Sequence, residues 1–255
     1  MTSSFDLTGK LALVTGSSRG LGRGLALALA EAGARVIVHG RSAEALAESS
    51  AAIEAVSGSR PESVVFDVTD AKAVEAAIAD LVERVGVPDI LVNNAGLQRR
   101  APFAEFPVED WDALVAGNLS GVFYVSRFVA PGMVERGSGK IINIASVQSQ
   151  LARQTIAPYG ATKAGVAQLG RGMAADLARH NIQVNTLSPG YFATDMNQAL
   201  VDDPEFTAWL ENRTPARRWG QVEELSGTLI YLASSASDFV SGQNIFVDGG
   251  MTSVV

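Results

Sequence analysis

Cysteine is absent from this sequence of 255 residues, and histidine occurs only twice, at His39 and His180. The first absence excludes a disulfide framework, a thiolate metal site and a cysteine nucleophile. The second rules out a three-histidine zinc centre and leaves only the pair His39 and His180 for a two-histidine one, so a zinc site built on histidines is effectively excluded and no metal is expected. Positive charge is also scarce: 20 lysines and arginines against 27 acidic residues give a net charge of −7. That balance argues against a nucleic-acid partner, which needs a basic face. It does not argue against a small anion, because a few placed arginines set a local field. No twenty-residue apolar stretch is free of charge or glycine, and residues 1–10 lack the basic-then-apolar pattern of a signal peptide. The expectation is a cytoplasmic protein with no membrane partner.

What the sequence does have is material for a core. With 47% hydrophobic residues, a chain of this length can bury one sizeable α/β domain. β-Branched runs at 11–15, 35–39, 63–67, 90–93, 140–145, 183–188 and 243–247 alternate with Ala- and Leu-rich stretches at 21–34, 43–56, 71–85, 111–133 and 158–180. Most of the runs are continuously apolar, as in parallel strands covered on both faces. Parallel neighbours need a crossover, which the intervening helices supply. The pattern predicts a single α/β domain over 1–255, with a doubly wound parallel sheet of about seven strands and helices on both faces. One stretch, 190–218, is rich in Asp, Pro and Arg and reads as irregular. It lies between a strand and a helix starting near Gln221, beside the carboxyl ends of the strands, and is expected to act as a substrate lid.

The first run leads into Thr15-Gly16-Ser17-Ser18-Arg19-Gly20-Leu21-Gly22, which opens the first helix. Gly16 allows a tight turn, Gly20 lets backbone approach a pyrophosphate, and Gly22 permits close helix packing. The free N–H groups and dipole of the helix start favour the anion. The spacing departs from G-x-G-x-x-G, and a glycine turn without a ligand is the plain alternative. An acid at the end of the second strand would select NAD by binding the ribose 2′-hydroxyl. Here that strand ends His39-Gly40-Arg41 with no carboxylate, while Arg19 lies in the loop. Two guanidiniums suit a 2′-phosphate, so NADP(H) is the expected cofactor, with NAD the weaker alternative.

Tyr159 and Lys163 stand four residues apart at the start of a predicted helix, and therefore on one face. A phenol is a poor base at neutral pH; a nearby ammonium favours its ionised form, and oxidised nicotinamide adds to the effect. Ser146, just past the fifth run, can donate a hydrogen bond to a substrate oxygen that gains charge. Taken singly, each has an ordinary reading: an amphipathic pair, a helix-start residue at Asn118, turn formers at Asn93 and Asn94, a strand terminator at Pro189-Gly190, a helix cap at Asp67.

Together these elements resemble the short-chain dehydrogenase/reductase family over essentially the whole chain. The matching segments are the 15–22 loop, Asp67-Val68, Asn93-Asn94-Ala95-Gly96, Asn118, Ser146, Tyr159-x-x-x-Lys163, and Pro189-Gly190 with Thr194. The resemblance implies a Rossmann fold and a catalytic set of Asn118, Ser146, Tyr159 and Lys163. In it Tyr159 is the acid/base and Ser146 polarises the carbonyl. Lys163 holds the nicotinamide ribose and lowers the tyrosine pKa, while Asn118 holds a relay water. It further implies cofactor contacts from Gly16, Ser18, Arg19, Gly20, Leu21, Gly22 and Arg41, and from Asp67 and Val68 at the adenine. Asn94, Ala95 and Gly96 would lie near the ribose, and Pro189, Gly190, Phe192 and Thr194 around the nicotinamide. It implies a homotetramer packed through the long central helices and the C-terminal strand region.

The segments 94–102, 146–153, 189–194 and 213–221 resemble those of family members that act on sugar acids. A sugar acid carries one carboxylate, suited to a guanidinium, and several hydroxyls needing polar partners. Gln98, Arg100, Gln148 and Arg153, with Ser146 and Tyr159, are the expected substrate contacts; either arginine could take the carboxylate, or either could be solvated or bound at a subunit contact. Reduction of another sugar acid, a polyol or a 3-ketoacyl thioester uses the same motifs. A basic landing patch for an acyl carrier protein sits poorly with the net charge of −7. A non-catalytic dinucleotide sensor would have no need of Ser146, Tyr159 and Lys163.

Overall fold

In the computed structural model all seven apolar runs form strands: β1 (Leu11–Val14), β2 (Arg35–Gly40), β3 (Glu62–Val65), β4 (Ile90–Asn93), β5 (Gly139–Ile144), β6 (Ile182–Pro189) and β7 (Asn244–Val247). The structure describes residues 3–194 and 197–254; Asp195 and Met196 of the predicted lid, and Met1, Thr2 and Val255 of the predicted single domain, lie outside the described residues. The strands pair in parallel in the order β3-β2-β1-β4-β5-β6-β7. The chain thus reverses its direction of travel between β1 and β4, the place where a doubly wound sheet opens a crevice at the carboxyl ends of its strands.

Burial explains why the strands were continuous in the sequence. β1, β4, β5 and β6 are buried at every position, whereas the edge strands β3 and β7 are only partly covered. Alternate residues serve opposite faces, as the pleat requires. Ala12 and Val14 pack under α1 (Gly20–Glu31), α2 (Ala47–Ser57) and α9 (Ser226–Ala233), while Leu11 and Leu13 pack with α3 (Ala71–Arg84), α5 (Gly121–Arg136) and α6 (Ala157–Leu177).

Two elements differ from expectation. The predicted helix 111–133 begins earlier, as α4 (Val108–Val115), and passes through one π turn, Ala116–Ser120, before continuing as α5. By length and composition this joined run would suit a membrane span, but Val125, Val129 and Met133 bury it against the sheet. The stretch 190–218, read as irregular, instead carries α7 (Gln198–Val201) and α8 (Pro204–Arg213). Asp203 caps α8, accepting from the N–H groups of Glu205 and Phe206 at 2.9 and 3.2 Å. Pro204 takes the first helical position, where its missing N–H costs nothing. The Asp and Pro that suggested a loop are a helix start.

Candidate active site

A cleft of about 410 Å³ opens along the carboxyl ends of the strands. Every predicted site residue lines it except Asn118. Its first wall is the glycine loop. Gly16 and Gly20 hold φ of +64° and +52°, the left-handed region that side chains disfavour. Gly22 is needed for space: a Cβ there would lie 2.2 Å from the Gly16 carbonyl oxygen and 2.4 Å from Asn94 Nδ2. Asn94 fastens the loop to the end of β4, donating to the carbonyls of Thr15 and Gly16 at 2.9 and 3.1 Å. The start of α1 carries no side-chain cap and no acidic residue in its first turn, leaving its N–H groups open to an anion.

His39, considered in the sequence only as a metal ligand, anchors the same loop from β2. Its Nδ1 accepts the Gly16 N–H at 2.9 Å, so Nε2 carries the proton that it directs at the Phe66 carbonyl, 3.1 Å away. Burial pushes its pKa down to about 4, and the ring is neutral at working pH. No local motif marks this role, because the partners come from three strand ends. Arg19 and Arg41 line the same end of the cleft. Asp67 is not a helix cap: it accepts from the N–H and hydroxyl of Thr69 at 2.9 and 2.8 Å, while Asp70 caps α3. Those bonds hold the Asp67 carboxyl below its usual range, with a smaller contribution from Arg41.

At the inner end, Ser146 follows β5 and Tyr159 lies in the first turn of α6. Lys163, one turn on, is buried, donates to the Ile144 carbonyl at 2.8 Å, and holds Nζ 5.7 Å from the centre of the Tyr159 ring. The expected lowering of the tyrosine pKa is reversed in the chain alone. Burial pushes Tyr159 up to about 12, with Ser146 pulling the other way, and burial pushes Lys163 down to about 8. Desolvation is the largest influence on both groups and opposes the charge of each.

Asn118 is neither a helix-start residue nor part of the cleft wall; it sits in the π turn with both its amide oxygen and its amide nitrogen engaged. Oδ1 accepts the Leu97 N–H at 2.8 Å, and Nδ2 donates to the Leu97 carbonyl at 2.9 Å and the Thr162 hydroxyl at 3.3 Å. Its side chain therefore clamps the loop after β4 against α6. The π turn is what inserts it there, a local winding that often accompanies functional positions.

Across from Tyr159, Arg100 and Arg153 approach closely enough that Arg153 lowers the Arg100 pKa, second to burial. Neither forms an ion pair among the described residues. Gln148 is buried beside them with Oε1 lacking any partner. Two unpaired guanidiniums and an orphaned acceptor suit a ligand bearing a carboxylate and hydroxyls. Tyr191, within the 189–194 segment but not among the expected substrate contacts, also lines this wall.

Comparison with known proteins agrees with this geometry. A family model described as Enoyl-(Acyl carrier protein) reductase matches residues 16–252. Gluconate 5-dehydrogenase of Gluconobacter oxydans is 54% identical over 97% of this chain and 96% of its own. 5-Keto-D-gluconate 5-reductase of Escherichia coli K12 is 49% identical over 98% of both. The crystal structure of a gluconate 5-dehydrogenase from Burkholderia cenocepacia in complex with NADP and tartrate superposes with a TM-score of 0.96, at 56% identity over 99% of this chain and 98% of that one.

Proposed function

The chain belongs to the short-chain dehydrogenase/reductase family, and from that premise we propose that it interconverts D-gluconate and 5-keto-D-gluconate with NADP(H). The observation that carries the substrate is the pair of unpaired arginines, Arg100 and Arg153, facing the same cleft as Tyr159. A neutral ketone would leave both charges without a partner, whereas a sugar carboxylate satisfies one or both. The relatives at 54% and 49% identity act on the same acid, and the Burkholderia enzyme was crystallised with a hydroxylated dicarboxylate, tartrate.

NADP(H) supplies or takes the hydride when bound. Gly16 to Gly22 and the open start of α1 fit its pyrophosphate, and Arg19 and Arg41 fit its 2′-phosphate, there being no carboxylate at the end of β2 to favour NAD. Asp67 and Val68 would meet the adenine; Asn94 to Gly96 the ribose; Pro189, Gly190, Phe192 and Thr194 the nicotinamide. In reduction the Tyr159 phenol gives its proton to the carbonyl oxygen, to which Ser146 also donates a hydrogen bond. In oxidation Tyr159 takes the proton back. Lys163, fixed to the end of β5, holds positive charge beneath the phenol, and Asn118 fixes the adjoining loop. Gln98 and Gln148 would meet substrate hydroxyls, and α7 and α8 within 190–218 would cover the bound acid.

We also propose a cytoplasmic homotetramer. A chain without disulfides suits a reducing compartment. Val108, Trp111 and Phe123 on the joined α4–α5 helix, and Phe239 just before β7, present apolar surface to solvent, as subunit contacts do.

The test is NADPH oxidation followed by absorbance, comparing 5-keto-D-gluconate with an acetoacetyl thioester, and NADPH with NADH. Turnover of the keto acid with NADPH is expected. Turnover of the thioester alone would replace the substrate with a 3-ketoacyl thioester. A Tyr159→Phe variant should lose turnover and keep cofactor binding.

A further inference from the structure

An arginine poised for an anion must be held without occupying the donors that the anion needs. Arg153 lines the cleft and forms no ion pair among the described residues. What stands against it is an aromatic ring: its guanidinium carbon lies over Phe206, 5.1 Å from the ring centre. Phe206 does not itself line the cleft and backs the arginine from α8. The ring is fixed in turn by its neighbours. Trp209, Trp219 and Tyr191 have centroids 5.2, 6.0 and 5.7 Å away, at interplanar angles of 44°, 37° and 59°, the tilted arrangements that aromatic groups favour. The Phe206 N–H donates to the Asp203 carboxylate at 3.2 Å, so the cap of α8 sets where the ring stands. Trp219 is pinned as well, its indole N–H donating to the Thr207 hydroxyl at 3.1 Å.

We propose that Phe206 is a positioning residue for substrate binding: its ring, set by the cap and the aromatic neighbours of α8, holds the Arg153 guanidinium at the cleft for the substrate carboxylate. The proposal rests on the sugar-acid reading of the site and adds which arginine meets the acid and what orders it. An aromatic face attracts the cation electrostatically and, unlike a carboxylate, does not take up the pair of N–H groups that a bidentate partner uses. The long Arg153 side chain has many rotamers, and backed by the ring it meets the anion with less of that freedom left to lose. Arg100 has no aromatic partner of this kind among the described residues. Arg153 is therefore the pre-ordered cation of the two and the carboxylate ligand.

Phe206→Leu keeps an apolar side chain and removes the ring face, whereas Phe206→Tyr keeps the face. In Phe206→Leu the dissociation constant of tartrate in the presence of NADP+, measured by isothermal titration calorimetry, should rise about five- to tenfold. The KM for 5-keto-D-gluconate should rise by a similar factor, with kcat changed less than about twofold and NADPH affinity unchanged. Phe206→Tyr should stay within about twofold of the parent in each. In the Arg153→Met background, where the cation is already gone, Phe206→Leu should add less than about twofold. A ring that served only to hold α8 together would instead weaken binding to the same extent whatever stands at position 153. Unchanged tartrate affinity and KM in Phe206→Leu would overturn the proposal, as would an equal loss in Phe206→Tyr or full additivity with Arg153→Met. If the parent enzyme turns over no keto acid, the gluconate reading falls by itself and the tartrate arm still decides on Phe206. Absence of tartrate binding by the parent would remove the carboxylate site and the proposal with it.

Discussion

Replacing Gly22 by alanine is expected to damage cofactor binding through the glycine loop while leaving the reacting residues in place. The new Cβ would lie 2.2 Å from the Gly16 carbonyl oxygen and 2.4 Å from Asn94 Nδ2. Carbon and oxygen normally stay roughly 3.3 Å apart, so either α1 or the loop must give way by about 1 Å. Both movements strain the bonds from Asn94 to the Thr15 and Gly16 carbonyls, now 2.9 and 3.1 Å long. Overpacking costs roughly 1–3 kcal/mol and a lost buried hydrogen bond about 1 more. Part of that cost falls on stability and part on the alignment of the loop N–H groups with the pyrophosphate. Fluorescence titration should therefore show NADPH binding at least about tenfold weaker, and the remaining cost should lower the melting temperature by about 2–5 °C. Gly58→Ala, at the end of α2 and away from the cleft, is the control, because its Cβ meets nothing within 4 Å and only the φ of +72° is strained, at about 1 kcal/mol. NADPH binding by Gly22→Ala within about twofold of the parent, at an unchanged melting temperature, would refute the packing argument. So would an equal loss of NADPH binding in Gly58→Ala.

Three further outcomes follow from the geometry. Tyr159, near 12, stays protonated at working pH, whereas Lys163 loses its charge as pH rises through about 8. Ketone reduction should thus be level near neutrality and fall above that value, while alcohol oxidation, which needs the phenolate, should rise out of the neutral range; reduction that accelerates into alkaline pH would contradict this. Arg41→Ala should raise the KM for NADPH roughly tenfold and barely alter that for NADH; equal effects on both would separate Arg41 from the 2′-phosphate. Thr155 is exposed and β-branched at a φ of +68°, so Thr155→Asn should stabilise by about 0.5–1 kcal/mol in thermal melts, and a lower melting temperature would show that the side chain has a favourable contact.

Much of the fold was legible because a parallel sheet covered on both sides leaves uninterrupted apolar runs. Once β1 and β4 are neighbours, the residues just beyond the strands converge on one crevice by topology alone. That is why the 15–22 loop, Asn94, Ser146 and Pro189 come together although they are far apart in sequence. The i, i+4 relation of Tyr159 and Lys163 was legible for the same kind of reason, since it needs only a helix. What escaped was set by contacts between elements. Asp203-Pro204 was read as composition although it is a cap followed by a first-turn proline. His39 serves Gly16 across 23 residues of sequence, and Tyr191 acquires its surroundings only when α8 folds back beside β6.

The reversed pKa directions at Tyr159 and Lys163, the proposed catalytic pair, show what pairwise reasoning from sequence omits. An ammonium four residues from a phenol does favour the phenolate, but only against the cost of charging a buried group. Here Lys163 is buried and Tyr159 largely so, and Lys163 already gives a hydrogen bond to the Ile144 carbonyl. A neutral phenol is therefore the resting form of Tyr159, ready to donate, which suits reduction directly. Oxidation requires additional positive charge in the same pocket, and oxidised nicotinamide brings one. Because the surroundings screen weakly, that charge acts on the phenol more strongly than it would in water. The burial that keeps Tyr159 protonated by itself thus also makes its proton responsive to which redox form of the cofactor is bound.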